Sequence, residues 1–82
     1  SLAQSMAREL GPQGIHVAHV VIDGAIDTPW IKELFTDFYN EKKDLDGLMN
    51  PNDIANNYLW LHKQPRNAWT HEIDLRPWIE KW

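Results

Sequence analysis

A tyrosine and a lysine at helical spacing are the residues whose types most directly suggest acid–base chemistry in this sequence. Residues 39–43, Tyr-Asn-Glu-Lys-Lys, contain the pattern Tyr-x-x-x-Lys, which on a helix places the phenol and the ammonium group on one face. There the ammonium group of Lys43 would lower the pKa of the phenol and prepare it for proton transfer. A pattern of two residues is weakly specific, and we do not expect Tyr39 to be catalytic.

A second candidate is the stretch of residues 23–28, Asp-Gly-Ala-Ile-Asp-Thr, which follows an apolar run. Asp-Gly is a turn signal, and ligands of parallel α/β sheets bind beyond the carboxyl ends of the strands. Residues 23–30 leave the predicted strand at its carboxyl end, so this loop lies where a ligand is expected. Pro29 favours a first helical turn, so Asp27 or Thr28 is also placed to cap the next helix, and capping and ligand binding can coexist.

The four histidines do not form a metal-binding pattern. His16 and His19 are three residues apart in a predicted strand, so they face opposite sides, and neither His62 nor His71 has a carboxylate-rich motif nearby. We expect hydrogen-bonded structural histidines and no metal site. The sequence also has no Gly-rich phosphate loop and no nucleophile elbow.

Hydrophobic periodicity and capping residues predict the order helix, strand, helix, helix, strand. Gly11 is placed for a left-handed cap of the first helix, and Asn50 for the N-cap of the last. Strands connected through helices are expected to be parallel neighbours with a right-handed crossover, which makes the fold class α/β. The predicted elements are a helix over residues 2–10, a strand over 15–22 covered on both faces, a helix from Pro29 through Tyr39, a surface loop over 40–49, a helix from Pro51 to about His62 and an edge strand over 70–75.

Composition excludes several classes of function. The chain has 82 residues, of which 43% are apolar, and a formal net charge of -4. Nucleic acid binding is not expected because the lysines and arginines form no cluster that would neutralise phosphates. No apolar run approaches the roughly 20 residues of a membrane span, so no membrane association is expected. The absence of cysteine fits a cytoplasmic protein.

The residues from the first helix to Thr28 carry a family resemblance. Residues 7–17 read Ala-Arg-Glu-Leu-Gly-Pro-Gln-Gly-Ile-His-Val, and a strand, a glycine turn and Thr28 follow. This order closely resembles the later part of a short-chain dehydrogenase/reductase, in which a similar helix end precedes a strand, a Pro-Gly turn and a Thr. Residues 50–55 resemble the family's Pro-x-x-Ile-Ala helix start. Asp23 stands in place of the family's Pro, and the Gly-Gly after the family's last strand is absent, which indicates a divergent branch.

The resemblance implies the C-terminal part of a Rossmann-like doubly wound parallel sheet, with residues 1–82 as a single fragment of an NAD(P)-binding domain. It implies an oxidoreductase that moves hydride between NAD or NADP and a small-molecule carbonyl or alcohol substrate. In the family, backbone groups after the turn glycine and the Thr side chain hold the nicotinamide carboxamide. Asp23, Gly24, Ile26 and Thr28 are therefore the candidate cofactor-binding residues.

The resemblance also bears on substrate and catalysis. The helix after the Thr is a mobile substrate lid in the family, so Trp30 and Phe35 are either lid residues or ordinary packing residues. The family's Tyr-x-x-x-Lys precedes the Gly-Thr loop, whereas Tyr39 follows it, so the catalytic Ser, Tyr and Lys are expected upstream of residue 1. Residues 1–4 enter a helical pattern directly, without an initiator Met, which indicates a chain cut in mid-helix. We expect residues 1–82 alone to be inactive.

The resemblance also implies surfaces for oligomer formation. In the family, the first helix belongs to a four-helix-bundle interface, and the final helix and strand form a dimer interface, which implies a homodimer or homotetramer. Trp69, Trp78 and Trp82 are expected at such an interface rather than at a ligand. The alternative from another class is a non-catalytic α/β interaction module or a self-associating proteolytic remnant.

Overall fold

A computed structural model describes residues 1–82 and has a mixed α/β fold. Five helical segments surround or extend from one two-stranded sheet. In chain order the elements are α1 (Leu2–Leu10), a short 3-10 helix (Gly11–Gln13), β1 (His19–Ile22), α2 (Pro29–Leu34), α3 (Thr36–Asp44), α4 (Pro51–Lys63) and β2 (Glu72–Leu75).

The sheet confirms the predicted parallel pairing of the two strands. β1 and β2 are hydrogen-bonded neighbours, and the register runs from His19 opposite Glu72 to Ile22 opposite Leu75. β2 alternates as predicted, because Glu72 is exposed and Ile73 is half-buried. With only two strands, each one lies at an edge of this sheet.

The first strand is shorter than predicted. Residues 15–18 are β-branched or apolar enough for a strand, but a strand also needs a partner backbone. The partner strand begins only at Glu72, and upstream of it the Gln64 side chain accepts from the Thr70 N–H and donates to its hydroxyl, each at 2.8 Å. The predicted strand over 15–22 is therefore wrong for its first four residues. The remaining residues of β1 are half-buried or exposed, so this chain alone does not cover both faces of the strand.

The predicted left-handed cap at Gly11 is also wrong. Gly11 is right-handed helical (φ -53, ψ -49), and the left-handed residue is Gly14, with φ 85. Pro12 is tolerated in a first helical turn because its missing N–H is not needed there. The chain therefore continues as a 3-10 helix through Gln13 before it reverses direction.

The helix predicted from Pro29 through Tyr39 is divided at Phe35, and the surface loop predicted over 40–49 begins later. Phe35 is non-helical (φ -133, ψ 55), and the hydroxyl of the next residue, Thr36, donates back to the Lys32 carbonyl at 2.9 Å. Such local side-chain bonds compete with the helical ladder. α3 then continues to Asp44, so residues 40–44 are helical rather than loop.

The fourth helix begins and ends nearly as predicted. The Asn50 side chain accepts from the Asn52 N–H at 2.8 Å, Pro51 takes the first helical position, and the helix ends at Lys63, before Pro65. Asp53 lies in the first turn, where a negative charge is favoured by the helix dipole.

The chain buries very little of its apolar material. Its core consists of Leu48, Met49 and Leu61. The radius of gyration is 15.9 Å and the long axis measures 48 Å, whereas a compact chain of this length has a radius of about 12 Å. Leu2 is 77% exposed and Trp30 is 61% exposed. Apolar faces of this size are covered in most soluble proteins by another chain or another part of the same chain.

Candidate functional site

The turn after β1 is closely packed against the segment after β2. The Asp23 N–H donates to the Leu75 carbonyl at 2.9 Å, which continues the ladder by one bond. Gly24 has φ 154, and a Cβ placed on it would lie 2.6 Å from Pro77 Cδ and 3.3 Å from the Met49 sulfur. The turn requires glycine for both reasons, because other residues rarely adopt this φ and because Pro77 fills the space.

Ile26 is held in an extended conformation with its own backbone groups free. Ile26 forms an isolated parallel bridge with Met49: the Met49 N–H donates to the Ala25 carbonyl at 2.9 Å, and the Asp27 N–H donates to the Met49 carbonyl at 2.8 Å. In this pattern the N–H and C=O of Ile26 point away from Met49. Neither group makes a hydrogen bond within the chain. One donor and one acceptor are thus presented side by side by a fixed backbone.

Thr28 caps the helix that follows this loop. Its hydroxyl oxygen accepts from the Ile31 N–H at 3.3 Å, and Pro29 occupies the first helical position of α2. Of the two predicted caps, Asp27 and Thr28, the structure therefore selects Thr28. A hydroxyl group that accepts a hydrogen bond can still donate its own proton, so the cap leaves Thr28 a donor for a ligand.

Asp23 is paired with an arginine from the second strand's end. Arg76 Nη2 lies 2.9 Å from Asp23 Oδ2 and 3.0 Å from Asp74 Oδ2, and the Arg76 side chain is only 15% exposed. The neighbouring carboxylates, Asp74 first, raise the pKa of Arg76 further above its ordinary value. The Asp23 carboxylate is therefore paired with a cation from the end of the other strand, which it shares with Asp74.

The Tyr39 and Lys43 side chains converge on Asp27 rather than on each other. Lys43 Nζ donates to Asp27 Oδ2 at 2.6 Å, and this bond, with one from Tyr39, lowers the pKa of Asp27. The Asp27 carboxylate in turn raises the pKa of Tyr39 above its usual range. A phenol that serves as a general base at neutral pH needs the opposite shift. The Asp27 carboxylate thus opposes the use of Tyr39 as a base.

The Asp27–Lys43 pair should give the loop a measurable response to acid. Because the pKa of Asp27 is lower in the folded state, its ionised form stabilises the fold above the pKa of the unfolded carboxyl. That contribution is lost as the pH falls through the folded-state pKa. In Lys43→Gln we expect the pKa of Asp27 to rise toward its ordinary value, as followed by carboxyl-carbon NMR. Lys42→Gln on the same helix is the control, and an Asp27 pKa that is equal in both variants would contradict the assignment.

The two candidate lid residues form an exposed aromatic pair. The rings of Trp30 and Phe35 meet edge to face, with centroids 5.9 Å apart, and both side chains are more than half exposed. They do not pack into a core of this chain. Neither ring lines the open groove of about 670 Å³ on the same segment, which is lined by Asp27, Thr28, Pro29, Lys32, Glu33, Thr36 and Tyr39.

Two of the histidines make structural hydrogen bonds, as predicted. His16 Nε2 lies 2.7 Å from the Thr70 carbonyl oxygen, and its ring stacks on Trp69 at a centroid distance of 4.8 Å. His71 Nδ1 lies 3.3 Å from the Val17 carbonyl oxygen. These bonds connect residues 15–18 to the start of β2. No cluster of three or more His, Asp or Glu side chains is arranged to hold a metal ion.

The structure brings the candidate cofactor residues together and adds partners that the sequence did not reveal. Asp23, Gly24, Ile26 and Thr28 lie on one loop at the carboxyl edge of the sheet, as the topology predicts. Sequence reasoning missed Arg76, together with Met49 and Pro77. A usable signal existed for Arg76. Once Ile22 is placed opposite Leu75, the residues that follow the two strands are Asp23 and Arg76, which carry opposite charges.

The fold and the loop define the chain as part of a Rossmann-like α/β unit. A solved structure of a short-chain dehydrogenase from Rhodopseudomonas palustris is similar to it, with 38% sequence identity and a TM-score of 0.57. The match covers 93% of this chain and 24% of that one, so the chain spans about a quarter of the length of the protein that it resembles. No protein-family model matches the sequence, and no curated protein does.

None of the helices combines the length and apolar character that a membrane-spanning helix requires.

Proposed function

We propose that this chain is the nicotinamide-side part of an NAD(P)-dependent oxidoreductase of the short-chain type. The observation that carries the proposal is the backbone of Ile26, whose N–H and C=O are both free and are fixed by the bridge to Met49. A primary carboxamide needs one acceptor and one donor at a fixed spacing. The similarity to the Rhodopseudomonas palustris short-chain dehydrogenase supports the same assignment.

The residues of the loop fit a nicotinamide carboxamide. Ile26 would offer its backbone donor and acceptor, Thr28 would add a hydroxyl donor, and the absence of a side chain at Gly24 would let the backbone approach a ring closely. When bound, NAD or NADP supplies the hydride chemistry. The contribution of this chain is to orient the ring and to present one of its faces to a carbonyl or alcohol carbon.

We further propose that the segment from Pro29 to Asp44 covers the substrate. Trp30 lies in the first turn of α2 and Phe35 directly after its end, and their exposed rings form an apolar surface on this segment. The catalytic Ser, Tyr and Lys would come from sequence upstream of residue 1. The exposed apolar faces of α1 and α4 would be covered by the remainder of the domain and by a second subunit of a homo-oligomer in the cytoplasm.

Cofactor titration of the protein that contains this chain tests the proposal. We expect NADH or NADPH to bind with micromolar affinity in a fluorescence titration and to shift the amide resonances of Ile26 and Thr28. NMN, which carries the nicotinamide half alone, should shift the same two resonances, whereas AMP should not. The proposal fails if neither dinucleotide binds, or if binding leaves the loop resonances unchanged.

One observation favours a second candidate, a self-associating α/β interaction module. The chain exposes large apolar residues on several elements, including Leu2, Leu34 and Trp60, and such surfaces promote association between copies. The two candidates differ in the coding sequence just upstream of Ser1. A Tyr-x-x-x-Lys pattern there supports the oxidoreductase, whereas a translation start at that point supports the interaction module.

A further inference from the structure

The residues after β2 form a strap across the carboxyl edge of the sheet. We call residues 76–82 the C-terminal strap. Arg76 reaches Asp23 of the opposite strand's turn at 2.9 Å, and Pro77 fills the space beside Gly24. The strap therefore contacts both residues of the Asp-Gly turn. We call residues 23–28, which this turn begins, the cofactor loop.

The strap also contacts the loop between α3 and α4. The indole N–H of Trp78 donates to the Leu45 carbonyl at 3.0 Å, and the side chain of Ile79 occupies the space next to Gly47. At the end of the strap, Trp82 lies under the Arg76 guanidinium group, whose central carbon is 3.6 Å from the ring centroid. Such a cation–π contact restrains the arginine side chain.

The contacts of the strap are important because the cofactor loop and the loop between α3 and α4 are also hydrogen-bonded to each other. Met49 donates to the Ala25 carbonyl and accepts from the Asp27 N–H, so the loop after α3 holds one side of residues 25–27. The strap holds the other end of the same loop, at Asp23 and Gly24. The bridge to Met49 fixes the direction of the Ile26 backbone groups, and the strap restrains the start of the same loop two to three residues earlier.

The two carboxylate partners of Arg76 have different effects. Asp74 lies in β2, two residues before Arg76, so its bonds orient the guanidinium group without connecting separate segments. Asp23 lies in the other strand's turn, so its bond connects the strap to the cofactor loop. The side chain of Asp23 is 44% exposed, and this bond is accordingly expected to be modest in strength.

We propose that Arg76 is a positioning residue for the cofactor loop, acting through Asp23. The ion pair, together with the packing of Pro77 on Gly24, restrains a turn that lacks the rigid proline of the resembling family. This inference rests on the proposed function, because the purpose of the restraint is to hold the backbone of Ile26 toward a carboxamide. It adds a determinant of cofactor affinity from outside the cofactor loop.

Two matched substitutions test the proposal in the protein that contains this chain. Asp23→Asn and Asp74→Asn each remove one carboxylate partner of Arg76 with little change in shape. We expect Asp23→Asn to speed hydrogen exchange at the Asp27 and Met49 amides, whose bonds hold the backbone on either side of Ile26. We also expect it to raise the Kd for NADH or NADPH about threefold, the size of an exposed ion pair. Asp74→Asn should have a clearly smaller effect on both quantities, because it leaves the Asp23–Arg76 ion pair in place.

Further variants separate positioning from general stability. Asp23→Glu keeps the carboxylate and should restore most of the affinity and the protection that Asp23→Asn loses. In a double-mutant cycle, Arg76→Gln should add little to Asp23→Asn, because both remove the same bond. Wild-type exchange rates in Asp23→Asn, or equal effects of Asp74→Asn, would overturn the proposal. Faster loop exchange in a protein that binds neither dinucleotide would support the strap and overturn the proposed function instead.

Discussion

Replacing Gly24 by alanine should lower the free energy of unfolding by about 2–5 kcal/mol, which is the largest effect that we expect from a single substitution in this chain. Two costs combine at this position. The backbone has φ 154, and the new Cβ would lie 2.6 Å from Pro77 Cδ and 2.9 Å from Pro77 Cγ. A proline ring in the strap cannot rotate away, so the turn or the strap has to move. Urea unfolding followed by circular dichroism measures the loss.

Gly14 provides the matched control for this substitution. It also has a positive φ of 85, but a Cβ there would meet nothing within 4 Å. Gly14→Ala should therefore cost only the backbone term, about 1–2 kcal/mol. Pro77→Ala in the Gly24→Ala background should recover the steric part of the loss. Equal destabilisation by Gly24→Ala and Gly14→Ala would mean that Pro77 does not restrict the turn.

The predictable parts of this fold are those decided by neighbouring residues. Asn50 followed by Pro51 favours a helix start, because the cap and the fixed φ act within one turn. The parallel pairing was predictable because a helical connection leaves few other arrangements. Both predictions depend on short-range chemistry and on general topology, and both agree with the structure.

The parts of the fold that the sequence did not predict depend on pairing with a distant strand or on a competing side-chain hydrogen bond. β1 begins only at His19 because the other strand begins at Glu72, and no property of residues 15–18 reveals where their partner starts. The break at Phe35 follows from a hydroxyl of Thr36 that bonds back to the preceding turn. Helix propensity gives little warning of such a bond, since threonine is common in helices and often points to solvent.

The candidate site likewise combines residues that could be proposed from the sequence with residues that only the tertiary contacts reveal. Gly24, Ile26 and Thr28 were proposed as cofactor-binding residues from the family resemblance, which depends only on the order of residues along one loop. Arg76 was not, because its pairing with Asp23 depends on the register of two strands that are far apart in the chain. The free backbone of Ile26 is likewise a property of the bridge to Met49 and not of isoleucine. The sequence thus points to a candidate binding loop, and tertiary contacts decide how that loop is held.

Replacing Thr28 by valine should weaken cofactor binding about tenfold, since one hydrogen bond to the carboxamide would be lost. Valine keeps the β-branched shape, and the extended backbone of Thr28 (φ -131, ψ 155) suits it, so the change removes little besides the hydroxyl. The same substitution should cost about 1 kcal/mol of stability because the Ile31 N–H loses its cap. Fluorescence titration with NADH and urea unfolding measure the two effects separately.

Thr28→Ser distinguishes the two roles of this hydroxyl. Serine caps helices as well as threonine does and keeps a donor for the ligand, so both affinity and stability should remain near their original values. If Thr28→Val loses stability but binds NADH with unchanged affinity, Thr28 is a helix cap and nothing more. The carboxamide would then depend on Ile26 alone.

A joint loss in the valine variant, with both properties retained in the serine variant, would show that one hydroxyl group starts the lid helix and also holds the nicotinamide. The first turn of the lid and the cofactor would then be fixed by the same atom, so that the lid begins where the ring is bound.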